Sequence, residues 1–342
     1  MDEEMIPPET APEFGIVGAG AWGTALAQTL ARAGRSVLLW GRDATLVRIL
    51  NSRRENTRYL PGIPLLDGIS FTDRLSEIAE AQHAILLVTP SQGLRSACLH
   101  LSPFLDPHRA VPLVVAAKGL DAESDQPLSG LVKDLIPAHP VAVLSGPNFA
   151  KEVAVGLPAA AVIAAREVAL AERLAEQIGS ASFRPYASSD PLGVEICGAF
   201  KNVLAIACGI AQGRHLGDNA RAALITRGMA ELMRLAKPLG IQTETLMGLS
   251  GLGDIVLTCN GLQSRNYTLG IALGEGMKLP DILAQRRSVA EGVYAAAALH
   301  RIGLKADVDM PIVAAVDSIL AGHAGVEDVI AKLLARPLKR ET

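Results

Sequence analysis

Phe14-Gly15-Ile16-Val17-Gly18-Ala19-Gly20-Ala21-Trp22-Gly23-Thr24-Ala25 decides the fold of this 342-residue chain. A short apolar run leads into Gly18-Ala19-Gly20-Ala21-Trp22-Gly23, and an amphipathic stretch, Thr24–Ala33, follows. A G-x-G-x-x-G alone is a weak signal, but set between a strand and a helix it is the dinucleotide fingerprint in its required context. Gly18 makes the tight turn, Gly20 lets the backbone approach a pyrophosphate, and Gly23 lets the helix pack on the strand. The helix N-terminus then turns its unpaired N–H groups toward the phosphates.

The next strand run closes with Leu39-Trp40-Gly41-Arg42-Asp43. An acidic residue at such a tip holds a ribose 2′-hydroxyl, whereas an arginine suits a 2′-phosphate. Arg42 comes first and favours NADP(H) over NAD(H). Asp43 is either the ribose ligand or the cap of the following helix. Further apolar runs at His83–Val88, Val111–Ala116, Val141–Leu144 and Ala159–Ala164 alternate with helical segments at Leu75–Ala81, Leu128–Ile136 and Val168–Ile178. That alternation predicts a doubly wound parallel sheet with right-handed crossovers. After Asp190-Pro191 the strand signal vanishes, and six helices are expected: Pro191–Gln212, Asn219–Lys237, Ser264–Gly274, Ala290–Ile302, Pro311–Leu320 and Val326–Leu334. The expected class is α/β, a Rossmann-type doubly wound sheet over 1–189 followed by an all-α C-terminal domain over 190–342.

Bulk properties narrow the function. The length favours two domains, and 49% apolar with only 4% aromatic residues means cores of Ala, Val, Leu and Ile. A net charge of −3 without a Lys/Arg run argues against nucleic acid. Cys98, Cys197, Cys208 and Cys259 lack metal or disulfide spacing and suit a reducing, cytoplasmic setting. The seven histidines form no ligand spacing, so no metal is expected. Residues 1–12 are acidic and proline-bearing, unlike a signal peptide, and read as a disordered tail. Arg166, Glu167, Lys201 and Asn202 interrupt the longest apolar stretches, so no membrane span is expected.

Lys201 and Asn202 stand inside Cys197-Gly198-Ala199-Phe200-Lys201-Asn202-Val203-Leu204-Ala205-Ile206-Ala207-Cys208-Gly209, a helix otherwise apolar on every side. Burying an ammonium is costly unless it has a partner or a task. Desolvation lowers a lysine's pKa and fits it for proton transfer near neutrality. The bland alternative is a lysine snorkelling over apolar surface, but Asn202 adds a polar group with no apolar stem.

These motifs stand in order with Ala117-Lys118-Gly119-Leu120, Ser145-Gly146-Pro147-Asn148-Phe149-Ala150-Lys151-Glu152, Asn219-Ala220-Arg221-Ala222-Ala223-Leu224-Ile225, Gly251-Leu252-Gly253-Asp254, Ser264-Arg265-Asn266 and Val289-Ala290-Glu291-Gly292. From about Phe14 to Leu334 the chain closely resembles the bacterial NAD(P)-dependent glycerol-3-phosphate dehydrogenases. The resemblance implies reversible reduction of dihydroxyacetone phosphate to sn-glycerol 3-phosphate, feeding phospholipid synthesis. It implies Lys201 as the proton donor or acceptor, with Lys118 and Asp254 as further catalytic residues. Lys118, Gly146, Asn148, Asn202, Asp254, Ser264, Arg265 and Asn266 would line the substrate pocket. Ala21, Trp22, Arg42, Lys118, Ala150, Arg265, Val289 and Glu291 would touch the cofactor, besides the three glycines. Position 148 is usually Ser or Thr in such proteins and is Asn here.

Several of these residues have a plainer reading beside the functional one. Lys118 is otherwise a solvated loop lysine, and Asp254 a helix N-cap. Asn202 would bond a nearby carbonyl, Arg265 would be a solvated residue of a capped helix start, and Glu291 would charge a first helical turn. Trp22 flanks the cofactor or serves as packing. Ser264-Arg265-Asn266 lies where a loop meets a helix, so helix-start amides and a guanidinium can converge on one phosphate. Other functions keep part of the pattern. A lysine-dependent dehydrogenase of 6-phosphogluconate or 3-hydroxyacid type keeps the two-domain plan, and a non-catalytic NAD(P)-binding regulator leaves Lys201 unexplained. Apolar helices in the second domain are compatible with a homodimer.

Overall fold

The computed structural model describes residues 11–286 and 290–337. The described residues form two compact units: one holds 11–117 with Leu128–Pro191, the other Lys118–Pro127 and the described residues from Leu192 onward. The expected division at 189/190 makes no provision for the excursion of 118–127, which takes Lys118 into the helical unit. Of the expected tail, the Pro12 carbonyl accepts a hydrogen bond from the Gln82 N–H at 3.0 Å.

The first unit is an eight-stranded sheet of order β3-β2-β1-β4-β5-β6-β7-β8. Its strands are β1 (Phe14–Val17), β2 (Val37–Trp40), β3 (Ile69–Thr72), β4 (Ala84–Leu87), β5 (Leu113–Val115), β6 (Val141–Ser145), β7 (Ala159–Ala164) and β8 (Phe183–Ser188). The helices are α1 (Ala21–Arg32), α2 (Ala44–Arg53), α3 (Leu75–Ile78), α4 (Ser91–Leu101), α5 (Leu128–Leu135), α6 (Ala150–Val155) and α7 (Val168–Ile178). The strand order reverses between β1 and β4, and the crevice beyond the carboxyl ends at such a switch point is where α/β sheets bind ligands. The glycine loop leaves β1 there.

The sheet is not wholly parallel, as the alternation had suggested: β7 runs antiparallel to β6. Instead of crossing the sheet face, α6 stays with α1, where Arg32 Nη2 donates to the Ala154 carbonyl at 2.9 Å. Gly156, at φ 85°, then turns the chain, and β7 enters at the edge that β6 left. β3 and β8 escaped the sequence pattern. β3 is only four residues, and β8 is an edge strand carrying Arg184 and Pro185, a place where proline is tolerated because no ladder N–H is needed.

The second unit is helical: α8 (Pro191–Gly213), α9 (Gly217–Leu239), α10 (Thr243–Met247), α11 (Asp254–Asn260), α12 (Arg265–Gly274), α13 (Leu279–Ala284), α14 (Gly292–Lys305), α15 (Pro311–Leu320) and α16 (Val326–Leu334). A π-helical turn at Leu249–Gly253 leads into α11. Among the described residues α8 alone is long and apolar enough to cross a membrane, but its apolar window is wholly buried as the core of this unit. Glycines let α12 lie directly on it. A Cβ on Gly209 would overlap the Tyr267 carbonyl, and one on Gly270 would overlap the carbonyl of Ile206. One turn on, a Cβ at Gly274 would stand 2.6 Å from the Ile210 carbonyl. Side-chain-free contact of this kind fixes the register of α12 against α8, and both helices carry site residues.

Candidate active site

In the helical unit, Lys118, Lys201 and Asp254 meet although they are far apart in the chain. Asp254 is the first residue of α11 and only 1% exposed. One of its carboxylate oxygens accepts from Lys201 Nζ at 2.8 Å and the other from Lys118 Nζ at 2.7 Å. Lys201 is 8% exposed, so it does not snorkel. Its ammonium also donates to Thr258 Oγ1 at 3.0 Å, and that hydroxyl donates back to Asp254 at 3.1 Å. Thr258 was not singled out from sequence. Its signal is the four-residue spacing from Asp254, which puts both on one face of α11.

The cluster carries two ammonium groups for one carboxylate, a net positive charge in a nearly dry place. Burial and the neighbouring Lys201 ammonium pull Lys118 down to about 8 against the opposing effect of Asp254. Burial works against ionisation of Asp254, but the two ammonium groups outweigh it and hold the carboxyl below the ordinary range. A buried carboxylate at such distances from two lysines stays charged and keeps both amines oriented.

Asn202, next to Lys201, lies in a chain of amides. Its Nδ2 donates to the Lys118 carbonyl at 3.3 Å, and its Oδ1 accepts from Asn266 Nδ2 at 2.9 Å. Asn266 Oδ1 in turn accepts from the Gly292 N–H at 3.0 Å, at the start of α14. Both ends of Asn266 are thus engaged within the protein. Ser264 caps α12, its hydroxyl accepting from the Tyr267 N–H at 3.2 Å. Arg265 is exposed, and its guanidinium has no ion-pair partner among the described residues. Glu291 is the residue before α14 and its side chain caps nothing there. Val289, expected at the cofactor, lies outside the described residues.

In the sheet unit, the glycine loop has the shape its spacing predicts. Gly18 sits at φ 127°, where a Cβ would stand 2.8 Å from the Val88 carbonyl, and a Cβ on Gly23 would overlap the carbonyl of Gly18. A Cβ on Gly20 would meet nothing within 4 Å, and no side chain caps α1. The open side of Gly20 and the uncapped helix start fit a pyrophosphate. Ala21, Trp22 and Ala150 pack on the rim of this unit's core, and Trp22 Nε1 is buried without a partner among the described residues. Arg42 is exposed at the tip of β2. Asp43 caps α2 by accepting from the N–H groups of Thr45 and Leu46 at 2.9 and 3.3 Å, and it pairs with Arg58 at 2.9 Å. The cap reading of Asp43 is thus met. Gly146 holds φ 138° at the carboxyl end of β6. Asn148 Nδ2 donates to the Ala160 carbonyl at 3.1 Å, while its Oδ1 is buried with no partner among the described residues. Among the described residues no three His, Cys, Asp or Glu side chains gather to hold a metal ion.

The family models for the N-terminus and C-terminus of NAD-dependent glycerol-3-phosphate dehydrogenase match residues 13–171 and 190–331. The chain belongs to that family. The glycerol-3-phosphate dehydrogenase [NAD(P)+] of Rhodospirillum rubrum is 50% identical over 326 residues, 95% of this chain and 93% of that protein. That of Parvibaculum lavamentivorans is 50% identical over 330 residues, 96% and 98% of the two chains. A crystal structure of glycerol-3-phosphate dehydrogenase from Coxiella burnetii superposes with a TM-score of 0.90 at 38% identity, covering 95% of this chain and 99% of that one.

Proposed function

We propose that this chain catalyses the reversible NAD(P)H-dependent reduction of dihydroxyacetone phosphate to sn-glycerol 3-phosphate, supplying glycerophospholipid synthesis. The observation that carries this reading is the buried, net-positive cluster of Lys118, Asp254 and Lys201 in a member of this family. When bound, the reduced nicotinamide supplies the hydride that makes the carbonyl carbon a secondary alcohol carbon. Negative charge then develops on the former carbonyl oxygen and needs a proton. Lys201 Nζ gives up that proton as the new O–H bond forms, and in the reverse direction takes it back. Asp254 and Thr258 hold the ammonium in one orientation, so little reorganisation is needed at the moment of transfer. Lys118, brought to about 8, adds a second positive charge toward the oxyanion and changes protonation close to working pH.

The substrate's phosphate needs a cation outside that cluster, and Arg265 at the start of α12 has its guanidinium free for it. Asn202 and Asn266 act by positioning, since they tie α8, α12 and α14 to the Lys118 backbone. In the sheet unit, Gly146 and Asn148 are the expected substrate contacts, and Asn148 keeps a buried acceptor with no partner among the described residues where a hydroxyl is usual.

For the cofactor, Gly18, Gly20 and Gly23 would cradle the pyrophosphate, with Ala21, Trp22 and Ala150 of the same unit around the dinucleotide; Glu291, in the helical unit, is a further expected cofactor contact. NADP(H) is the favoured form. Asp43, the carboxylate that would repel a 2′-phosphate, is engaged by the α2 cap and neutralised by Arg58, while Arg42 stands exposed beside it. Four free, buried cysteines suit a reducing cytoplasm, and the apolar helical unit is compatible with a homodimer.

Initial rates of NADPH and NADH oxidation with dihydroxyacetone phosphate, against 6-phosphogluconate as the alternative substrate, test this reading. Turnover of the triose phosphate with a preference for NADPH is expected. Turnover of the sugar acid alone, or binding of NADPH with no carbonyl reduction, overturns it.

A further inference from the structure

The strap that follows α2 contains a buried side chain with no place in the reaction. Asn56 is 0% exposed, yet every polar atom of its amide is engaged. Nδ2 donates to the Ala19 carbonyl at 3.0 Å and to Thr24 Oγ1 at 2.8 Å, and Oδ1 accepts from the Tyr59 N–H at 3.2 Å. Thr24, also 0% exposed, passes the chain on: its hydroxyl donates to the Gly20 carbonyl at 2.8 Å. Two consecutive carbonyls of the glycine loop, those of Ala19 and Gly20, are therefore gripped from behind by one amide and one hydroxyl.

We propose that Asn56 and Thr24 form a relay that pre-sets the glycine loop for dinucleotide binding. This rests on the cofactor reading above. Carbonyls pulled inward leave the opposite side of the same peptides, with the open face at Gly20, for the phosphates. A glycine-rich segment is the most mobile kind of backbone, and fixing it costs conformational entropy. With the relay in place that ordering is completed on folding and does not oppose binding.

The strap is itself anchored, which is what lets it hold the loop. Gln28, on α1, donates to the Pro64 carbonyl at 2.8 Å and accepts from the Leu66 N–H at 2.9 Å. Leu60, Ile63 and Leu65 enter the core of the sheet unit. Asn56 acts through the loop and is a positioning residue.

The test compares Thr24→Val, which keeps the shape and removes the hydroxyl, with Thr24→Ser, which restores it, and with Asn56→Ala. The Kd for NADPH is measured by fluorescence titration of the full chain, and hydrogen–deuterium exchange of the amides from Gly20 to Thr24 is followed without dinucleotide. One net hydrogen bond corresponds to a change of about 2- to 13-fold in an equilibrium constant. The relay predicts a Kd raised at least threefold in Thr24→Val and Asn56→Ala, faster exchange of the loop amides in both, and wild-type values in Thr24→Ser. A Kd within threefold of wild type in Thr24→Val overturns the relay, as does Thr24→Ser behaving like Thr24→Val. If Asn56→Ala does not fold, the two Thr24 variants decide. Failure of the wild-type chain itself to bind NADPH would instead overturn the cofactor reading.

Discussion

Replacing Asp254 with Asn removes the single counter-charge shared by Lys118 and Lys201 while keeping the shape of the side chain. Breaking a buried ion pair from one side costs about 3–5 kcal/mol, because a charge is left uncompensated. Here the chain has a way out. Of the influences on Lys118, Asp254 is the one that holds the amine charged, while burial and the Lys201 ammonium oppose it. Without the carboxylate, Lys118 falls below its value of about 8 and folds as the neutral amine.

The sign of the pH effect follows. Unfolded lysine is protonated throughout pH 6–8, and so is Lys118 in the native wild type over most of that range, so its contribution there is nearly flat. In the variant the unfolded chain binds one proton more than the folded one. Stability then rises with pH at about 1.4 kcal/mol per unit. Between pH 8 and pH 6 the gap between wild type and Asp254→Asn should widen, by up to about 2–3 kcal/mol if Lys118 stays neutral down to pH 6. Urea unfolding followed by circular dichroism at pH 6, 7 and 8 measures it. Stability curves that run parallel across this range, the gap changing by less than about 0.5 kcal/mol, would refute the shared-carboxylate account.

Other parts of the fold make further demands. Gly270→Ala puts a methyl into the Ile206 carbonyl and should cost at least about 1–3 kcal/mol in thermal or urea unfolding. Gly93→Ala, whose new Cβ meets only Thr89 at 3.8 Å, should be neutral or stabilising. Glu231, buried in α9, caps α15 by accepting from the N–H groups of Ile312 and Val313 at 2.7 and 3.3 Å. Burial raises its carboxyl to about 7 despite those two bonds. The native state then holds a proton that the unfolded state loses above pH 4.5, so wild-type stability falls as pH climbs toward 7. Glu231→Gln lacks this term and should gain on wild type by up to about 3 kcal/mol between pH 4.5 and 7; a constant difference in urea midpoints would contradict it.

What the sequence made legible was local. The glycine loop carries its meaning in six consecutive residues with a strand before and a helix after. Lys201 stood out because a charge in an unbroken apolar helix is hard to explain by snorkelling alone once Asn202 stands beside it. The pairing that defines the site was not, since Lys118 and Asp254 are 136 residues apart and each alone resembles a loop lysine and a helix cap. Asn56 gave no signal because its partners, Ala19 and Thr24, lie 37 and 32 residues away. The contact of α8 with α12 had a readable cue, two glycines four apart on each helix at Gly209/Gly213 and Gly270/Gly274, but only packing shows which two faces meet. The reversal of β7 rests on Gly156 and on α6 docking to α1, and a pattern of apolar runs contains neither.

The central claim is that the Lys201 amine exchanges the proton of the ketone–alcohol interconversion. NADPH oxidation with saturating dihydroxyacetone phosphate, compared between wild type and Lys201→Ala, addresses it directly. A kcat lower by about 10²- to 10⁴-fold, with NADPH still bound, is expected when a positioned general acid is removed. A Lys201→Ala protein that turns over within about tenfold of wild type would contradict the account.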